Sequence, residues 1–131
     1  MALFCFREAL IAWLTWNVGQ IRTTIVDLIC ARSKLADAVQ ELISGDEDSR
    51  GRVIRAIKNS ASLQPTYLPL DLQEEWKSIT RECKKLGPVV DGGGHTVVSA
   101  LDRTMKSVRK KTGQKIALRI WDLYCEVCRR L

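Results

Sequence analysis

A single histidine, His95, is all the imidazole this 131-residue chain possesses. General acid–base work most often runs through an imidazole held beside a carboxylate or a nucleophile, and the sequence ties neither to His95. The expectation is a protein without catalysis, small-molecule substrate or cofactor, with His95 serving as a loop or cap residue. The run Asp91-Gly-Gly-Gly-His-Thr has the glycines of a phosphate-cradling loop. No strand is expected before it, and it has neither the Gly-x-x-x-x-Gly-Lys spacing nor the lysine that such a loop needs, so it reads as a flexible hinge.

A disulfide framework is also missing, because the five cysteines are odd in number and irregularly spaced. Cys125 and Cys128 form one Cys-x-x-Cys pair, whose thiols share a face if the segment is helical. Structural zinc takes four ligands, and the remaining candidates, Cys5, Cys30, Cys83 and His95, are isolated. A redox pair belongs at a helix N-terminus, where the dipole favours thiolate, whereas this pair falls near a helix C-terminus. Small, partly buried apolar residues and no metal are expected. Unpaired cysteines fit a reducing, cytoplasmic compartment.

No long apolar run is present. Residues 9–21 are a charge-free stretch of 13, short of the roughly 20 that cross a hydrocarbon layer. Arg7 and Glu8 interrupt the first apolar run, so no cleavable signal is expected. Trp13 and Trp16, with Phe4 and Phe6, make the N-terminus greasy, but a helix lying on a membrane surface carries lysine and arginine along its polar face, and only Arg7 with Glu8 beside it is found there. Core or protein interface is the expected use of these aromatics, with membrane binding not expected.

Period-two alternation, internal repeats and low-complexity tracts are absent, which leaves helices nearly everywhere. The strongest positive signal is a heptad seam. Counting from Phe4, the positions Ile11, Leu14, Val18, Ile21, Ile25, Leu28, Leu35, Val39 and Leu42 recur at alternating steps of three and four, with Arg7 and Arg32 the only breaks. Residues 2–43 are therefore one long helix, or two joined near Asn17 to Gly19. Unbroken, such a helix is roughly 60 Å long, more than one small domain covers, and part of its seam then needs another chain.

Further along, Ser44-Gly45-Asp46-Glu47 reads as a stop with a capping box, Gly45 supplying the left-handed cap, followed by a basic amphipathic helix over about 47–59 with Val53, Ile54 and Ile57 inward. Ser60 to Leu70, with Pro65 and Pro69, is a packed connector resting on Leu63, Tyr67, Leu68 and Leu70. Asp71 and Glu74 cap a helix carrying Leu72, Trp76, Ile79, Cys83 and Leu86, ended by Gly87-Pro88. Thr96 is the expected cap of a helix to about Lys111 with Val97, Leu101, Met105 and Val108 inward, and Gly113 its end. A last helix over about 114–130 aligns Ile116, Ile120, Leu123, Val127 and Leu131. The expected fold class is all-α: one domain over residues 1–131, a bundle of about five or six helices with a long N-terminal helix or helix pair.

Charge is unevenly spread. Residues 1–49 carry four basic and seven acidic residues, and the remainder carries seventeen and eight, so an acidic leading part is joined to a basic one. Seven basic residues and no acid lie between Arg103 and Arg119. Such clusters bind phosphate backbones by releasing condensed counterions, without any base contact. Two readings follow. In the first, the chain is a small non-enzymatic interaction protein that self-associates, or binds a partner helix, through Leu14, Trp16, Val18, Ile21, Ile25 and Leu28. In the second, Arg103, Lys106, Arg109, Lys110, Lys111 and Lys115 contact the backbone of RNA or DNA irrespective of sequence.

Overall fold

A helix over residues 25–44 (α1) opens the part of the chain that the computed structural model describes, residues 25–131. Its inward line is Leu28, Ala31, Leu35, Ala38 and Leu42, four of them buried and Leu42 packed against the core. This is a heptad line, shifted by one residue from the expected seam at two places: Ala31 replaces Arg32, and Ala38 joins Val39. Alanine buries little area, so a search for large apolar residues passes over it, yet its small size lets neighbouring helices approach closely. The shift explains Arg32, which lies exposed beside the stripe.

Helix α1 stops before Gly45, whose amide donates to the Glu41 carbonyl at 3.2 Å. Gly45 was expected for a left-handed cap, but among the described residues only Gly87 and Gly94 have positive φ. What Gly45 provides is room: a Cβ there would sit 2.9 Å from Cγ of Arg52, whose stem crosses over the turn. Helix α2 (Ser49–Asn59) is capped by Asp48, which accepts from the Arg50 and Gly51 amides, so the expected Ser44–Glu47 box is not the cap used. Ser44 turns back to the Gln40 carbonyl instead.

The connector that follows packs as expected through Leu63 and Leu68, with one 3-10 turn at Pro65–Tyr67, whereas Leu70 faces solvent. Helix α3 (Leu70–Cys83) buries Leu72, Trp76, Ile79 and Cys83. It has no side-chain cap; Asp71, expected to serve as one, pairs with Arg130. Past Gly87 the chain departs most from a purely helical reading. Val89–Val90 (β1) and Thr96–Val98 (β2) form a small antiparallel hairpin. The glycine run between them is a hydrogen-bonded turn, with Asp91 Oδ1 accepting from the Gly93 and His95 amides. Two strands of two and three residues are too short to show alternation in sequence.

Helix α4 (Ala100–Ser107) starts at Ser99, which accepts from the Asp102 amide and donates to its carboxylate, so the cap lies three residues beyond the expected Thr96. The chain is extended at Val108 and Arg109 and turns into α5 (Lys110–Arg130), the longest helix among the described residues. Gly113, expected as a helix end, lies inside α5 and is buried against α2: a Cβ there would meet Ser49 Oγ at 2.8 Å and the Arg50 amide nitrogen at 3.0 Å. The glycine is a contact point that lets two helices touch backbone to backbone. The described residues thus form an all-α bundle of five helices carrying one small hairpin.

Leu35, Val53, Ile79, Met105, Ile116 and Ile120, drawn from all five helices, meet in one core. Buried polar groups inside it are satisfied: Ser60 donates to the Ala56 carbonyl, and Thr104 accepts from the Leu86 amide at 3.1 Å. Ion pairs tie the periphery. Arg119 of α5 donates to Glu75, Ser78 and Glu82 along one face of α3, at 2.9, 3.0 and 2.6 Å. Arg130 grips both Asp71 oxygens, joining the end of α5 to the start of α3.

Candidate interaction surfaces

Three exposed features stand out against this core. The first is the leading edge of α1. Ile25, Val26 and Ile29 are 52%, 59% and 48% exposed. They sit at i, i+1 and i+4, so they share one side of the helix, opposite the buried line. Of the residues expected at a self-association interface, Ile25 lies on this edge, while Leu28 packs into the chain's own core. Leu14, Trp16, Val18 and Ile21 lie outside the described residues. Val26 and Ile29 were not singled out in sequence because they fall between seam positions. An isolated exposed isoleucine is ordinary, but three clustered branched residues make a patch that association would bury.

The second feature is the junction of α4 and α5. Lys106, Arg109, Lys110 and Lys111 fall within six residues around the extended break, all exposed, and Lys115 follows one turn later. None of them makes a salt bridge among the described residues. Arg103, the remaining expected phosphate contact, is exposed and donates to the Leu86 carbonyl. Arg119, the seventh basic residue of the cluster, is committed to α3, where two carboxylates raise its pKa further. Position matters as much as number here. Arg109, Lys110 and Lys111 sit at the N-terminus of a 21-residue helix with no acid in its first turn and no side-chain cap. A helix N-terminus is the positive end of the macrodipole, where cations are disfavoured by typically 0.3–1 kcal/mol each and anions are favoured.

The third feature was not legible in the sequence. Val39, Leu42 and Ile43 of α1 face Gln114, Ala117, Leu118 and Trp121 of α5. Between them lies a cleft of about 610 Å³. Val39, Leu42 and Ile43 form one wall and Ala117, Leu118 and Trp121 the other, with Leu118 61% and Trp121 44% exposed. One end is polar, made by Arg52 and Lys110 with Asp48, Ser49 and Gln114. Gly45 and Gly113 set this end, since the first lets Arg52 cross the turn and the second draws Ser49 onto α5. Ser49 Oγ donates to the Lys110 carbonyl at 2.8 Å. Arg50 holds Asp48 through Nε and Nη2, with Nη2 to Oδ2 at 2.8 Å, while its Nη1 donates to the Val108 carbonyl. That ion pair keeps the Asp48 carboxyl down at about 2.

Of the other candidates, His95 is exposed on the hairpin turn. Cys125 and Cys128 are exposed one turn apart on α5, and Cys30 is exposed on α1. Among the described residues no three histidine, cysteine or acidic side chains converge as a metal site. No described helix is long and apolar enough to cross a membrane. No protein-family model, curated protein or solved structure matches this chain.

Proposed function

We propose that this protein is a small, non-enzymatic helical interaction module that self-associates through the leading edge of α1, working in a reducing, cytoplasmic compartment. The observation that carries the reading is the side-by-side exposure of Ile25, Val26 and Ile29 on a helix whose other face is sealed in the core. Fully burying such a side chain contributes about 1.5–3 kcal/mol, so three half-exposed residues on each of two copies give a driving force of several kcal/mol before the costs of association. The sequence preceding them continues the apolar series through Leu14, Trp16, Val18 and Ile21. Four free cysteines among the described residues, three of them exposed, support the reducing compartment.

Static light scattering on the full chain tests this. A mass that exceeds 14.8 kDa at tens of micromolar and falls on dilution supports self-association, and 14.8 kDa at every concentration removes it.

The α4–α5 junction favours a second activity, compatible with the first: binding of a polyanion such as RNA or DNA through Lys106, Arg109, Lys110 and Lys111, with Arg103 and Lys115 at its margins. Unpaired cations at the positive end of a long helix are a strained arrangement that a phosphate relieves. Self-association would multiply a weak patch by presenting two copies of it.

A further inference from the structure

The cleft between α1 and α5 lies at the opposite end of α1 from the proposed association edge, some ten or more residues, or about 15–20 Å, further along the helix. Its volume, about 610 Å³, falls within the roughly 300–1,000 Å³ of sites that take small molecules, which combine apolar walls with a few convergent polar groups. Here the polar groups are of one effective sign. Asp48 is neutralised by Arg50, which leaves Arg52 and Lys110 as the net charge of the polar end. Neither makes an ion pair among the described residues.

We propose that this cleft binds a single-chain amphiphilic anion of the fatty-acid class, with its carboxylate on Arg52 and Lys110 and its tail along Leu42, Ile43, Leu118 and Trp121. Apolar walls alone admit any oily molecule. Two cations without an ion pair at one end, Arg52 having the exposed Glu47 carboxylate near it, select a negative head and fix the direction in which the chain lies. Leu118 and Trp121, exposed at the mouth, are the surface that such a tail covers. The size of the cleft suits one small molecule, whereas a stable protein partner needs some 800 Å² on each side.

Calorimetric titration of the full chain with dodecanoate, kept below its micellar concentration, tests the proposal. Dodecanol and dodecyltrimethylammonium serve as the same tail with neutral and cationic heads. The expected result is saturable binding of one dodecanoate per chain, about tenfold or more tighter than dodecanol, since a charge-assisted hydrogen bond is worth at least that factor. Arg52→Gln should bring the two affinities within about twofold of each other, and Lys110→Gln, at an exposed position, gives the same reading if Arg52→Gln does not fold. Leu118→Asp should weaken all three ligands. Equal binding of the three heads, a carboxylate preference untouched by both charge variants, or binding without saturation would each overturn the proposal. So would dodecanoate that acts by splitting an oligomer, because the cleft would then be covered by a second copy.

Discussion

Replacing Gly113 by alanine sets two effects of opposite sign against each other. In a helix interior, alanine is better than glycine by about 1 kcal/mol, so a surface glycine in α5 would gain stability on substitution. Gly113 is not on the surface. Its added Cβ would fall 2.8 Å from Ser49 Oγ and 3.0 Å from the Arg50 amide nitrogen. The second of these is backbone at the start of α2 and cannot swing away, so α2 and α5 must separate by several tenths of an ångström. Overpacking of this kind costs about 1–3 kcal/mol. The shift also breaks the bond from Ser49 to the Lys110 carbonyl, about another 1 kcal/mol. The net expectation for Gly113→Ala is a loss of about 1–3 kcal/mol, seen as a melting temperature lower by about 4–11 °C for a chain of this length. Thermal unfolding followed by far-ultraviolet circular dichroism measures it, with urea titration as a second probe. A variant that melts higher than the parent would refute the close helix contact, and with it the placement of Ser49 and Arg52 at the polar end of the cleft.

Four further outcomes are expected. Burial pushes the Cys83 thiol up from 9.0 to about 11, so an aromatic disulfide reagent should label Cys30, Cys125 and Cys128 in the native protein and reach Cys83 only on unfolding; equal rates would show that α3 is not packed as described. The same shift keeps Cys83 protonated in the fold when the unfolded chain has begun to ionise, so its stabilising contribution is whole below pH 9 and is lost as pH rises towards 11, a decline that Cys83→Ala should remove. Asp48 behaves in the opposite sense: hydrogen bonding and charge from Arg50 hold it at about 2, its contribution is complete above its ordinary value of 3.8, and stability falls as pH drops from there towards 2, with Asp48→Asn flattening that part of an acid-denaturation curve. If a nucleic acid meets four cations of the α4–α5 junction, a fourfold rise in salt should weaken binding about a hundredfold, and Arg109→Glu with Lys110→Glu should abolish it; binding indifferent to salt would exclude a backbone-reading surface.

How far the sequence could be read is instructive at particular residues. Periods of three and four found α3, with Leu72, Trp76, Ile79 and Cys83 inward, and α5, with Ile116, Ile120, Leu123 and Val127 inward, although Leu86 and Leu131, expected on the same stripes, lie exposed past the helix ends and α5 begins four residues before the expected 114. Long helices with large buried residues announce themselves because each turn repeats the same demand. Capping was less legible: Asp48 and Ser99 cap where Ser44 and Thr96 were expected, since several oxygen-bearing side chains flank each helix start and local sequence does not rank them. Glycine misled in two ways. Gly45 and Gly113 look like terminators, but each is present for space against another element, a reason that exists only after the chain has folded.

The basic cluster was visible as a run of charge. Which of its members are free was not, because Arg119 finds Glu75 and Glu82 on a helix more than thirty residues away. The cleft was wholly hidden, as it is made by α1, α2 and α5 together and by two glycines whose role is steric. The seam of α1 was legible as a helix signal and slipped in register by way of two alanines, and that slip separates Leu28 in the core from Ile25 at the surface.

Sedimentation equilibrium on three full-length proteins tests the central claim most directly: the parent, Ile25→Asp with Ile29→Asp, and Leu118→Asp as a control at the distant cleft. Both changed positions on α1 are solvent-facing, so the fold should survive, as circular dichroism will report. The expected result is a parent mass that is a multiple of 14.8 kDa, a single-chain mass for the α1 variant and the parent's mass for the Leu118 variant. A parent that sediments as a single chain, or an α1 variant that assembles as well as the parent, would contradict self-association through the leading edge of α1.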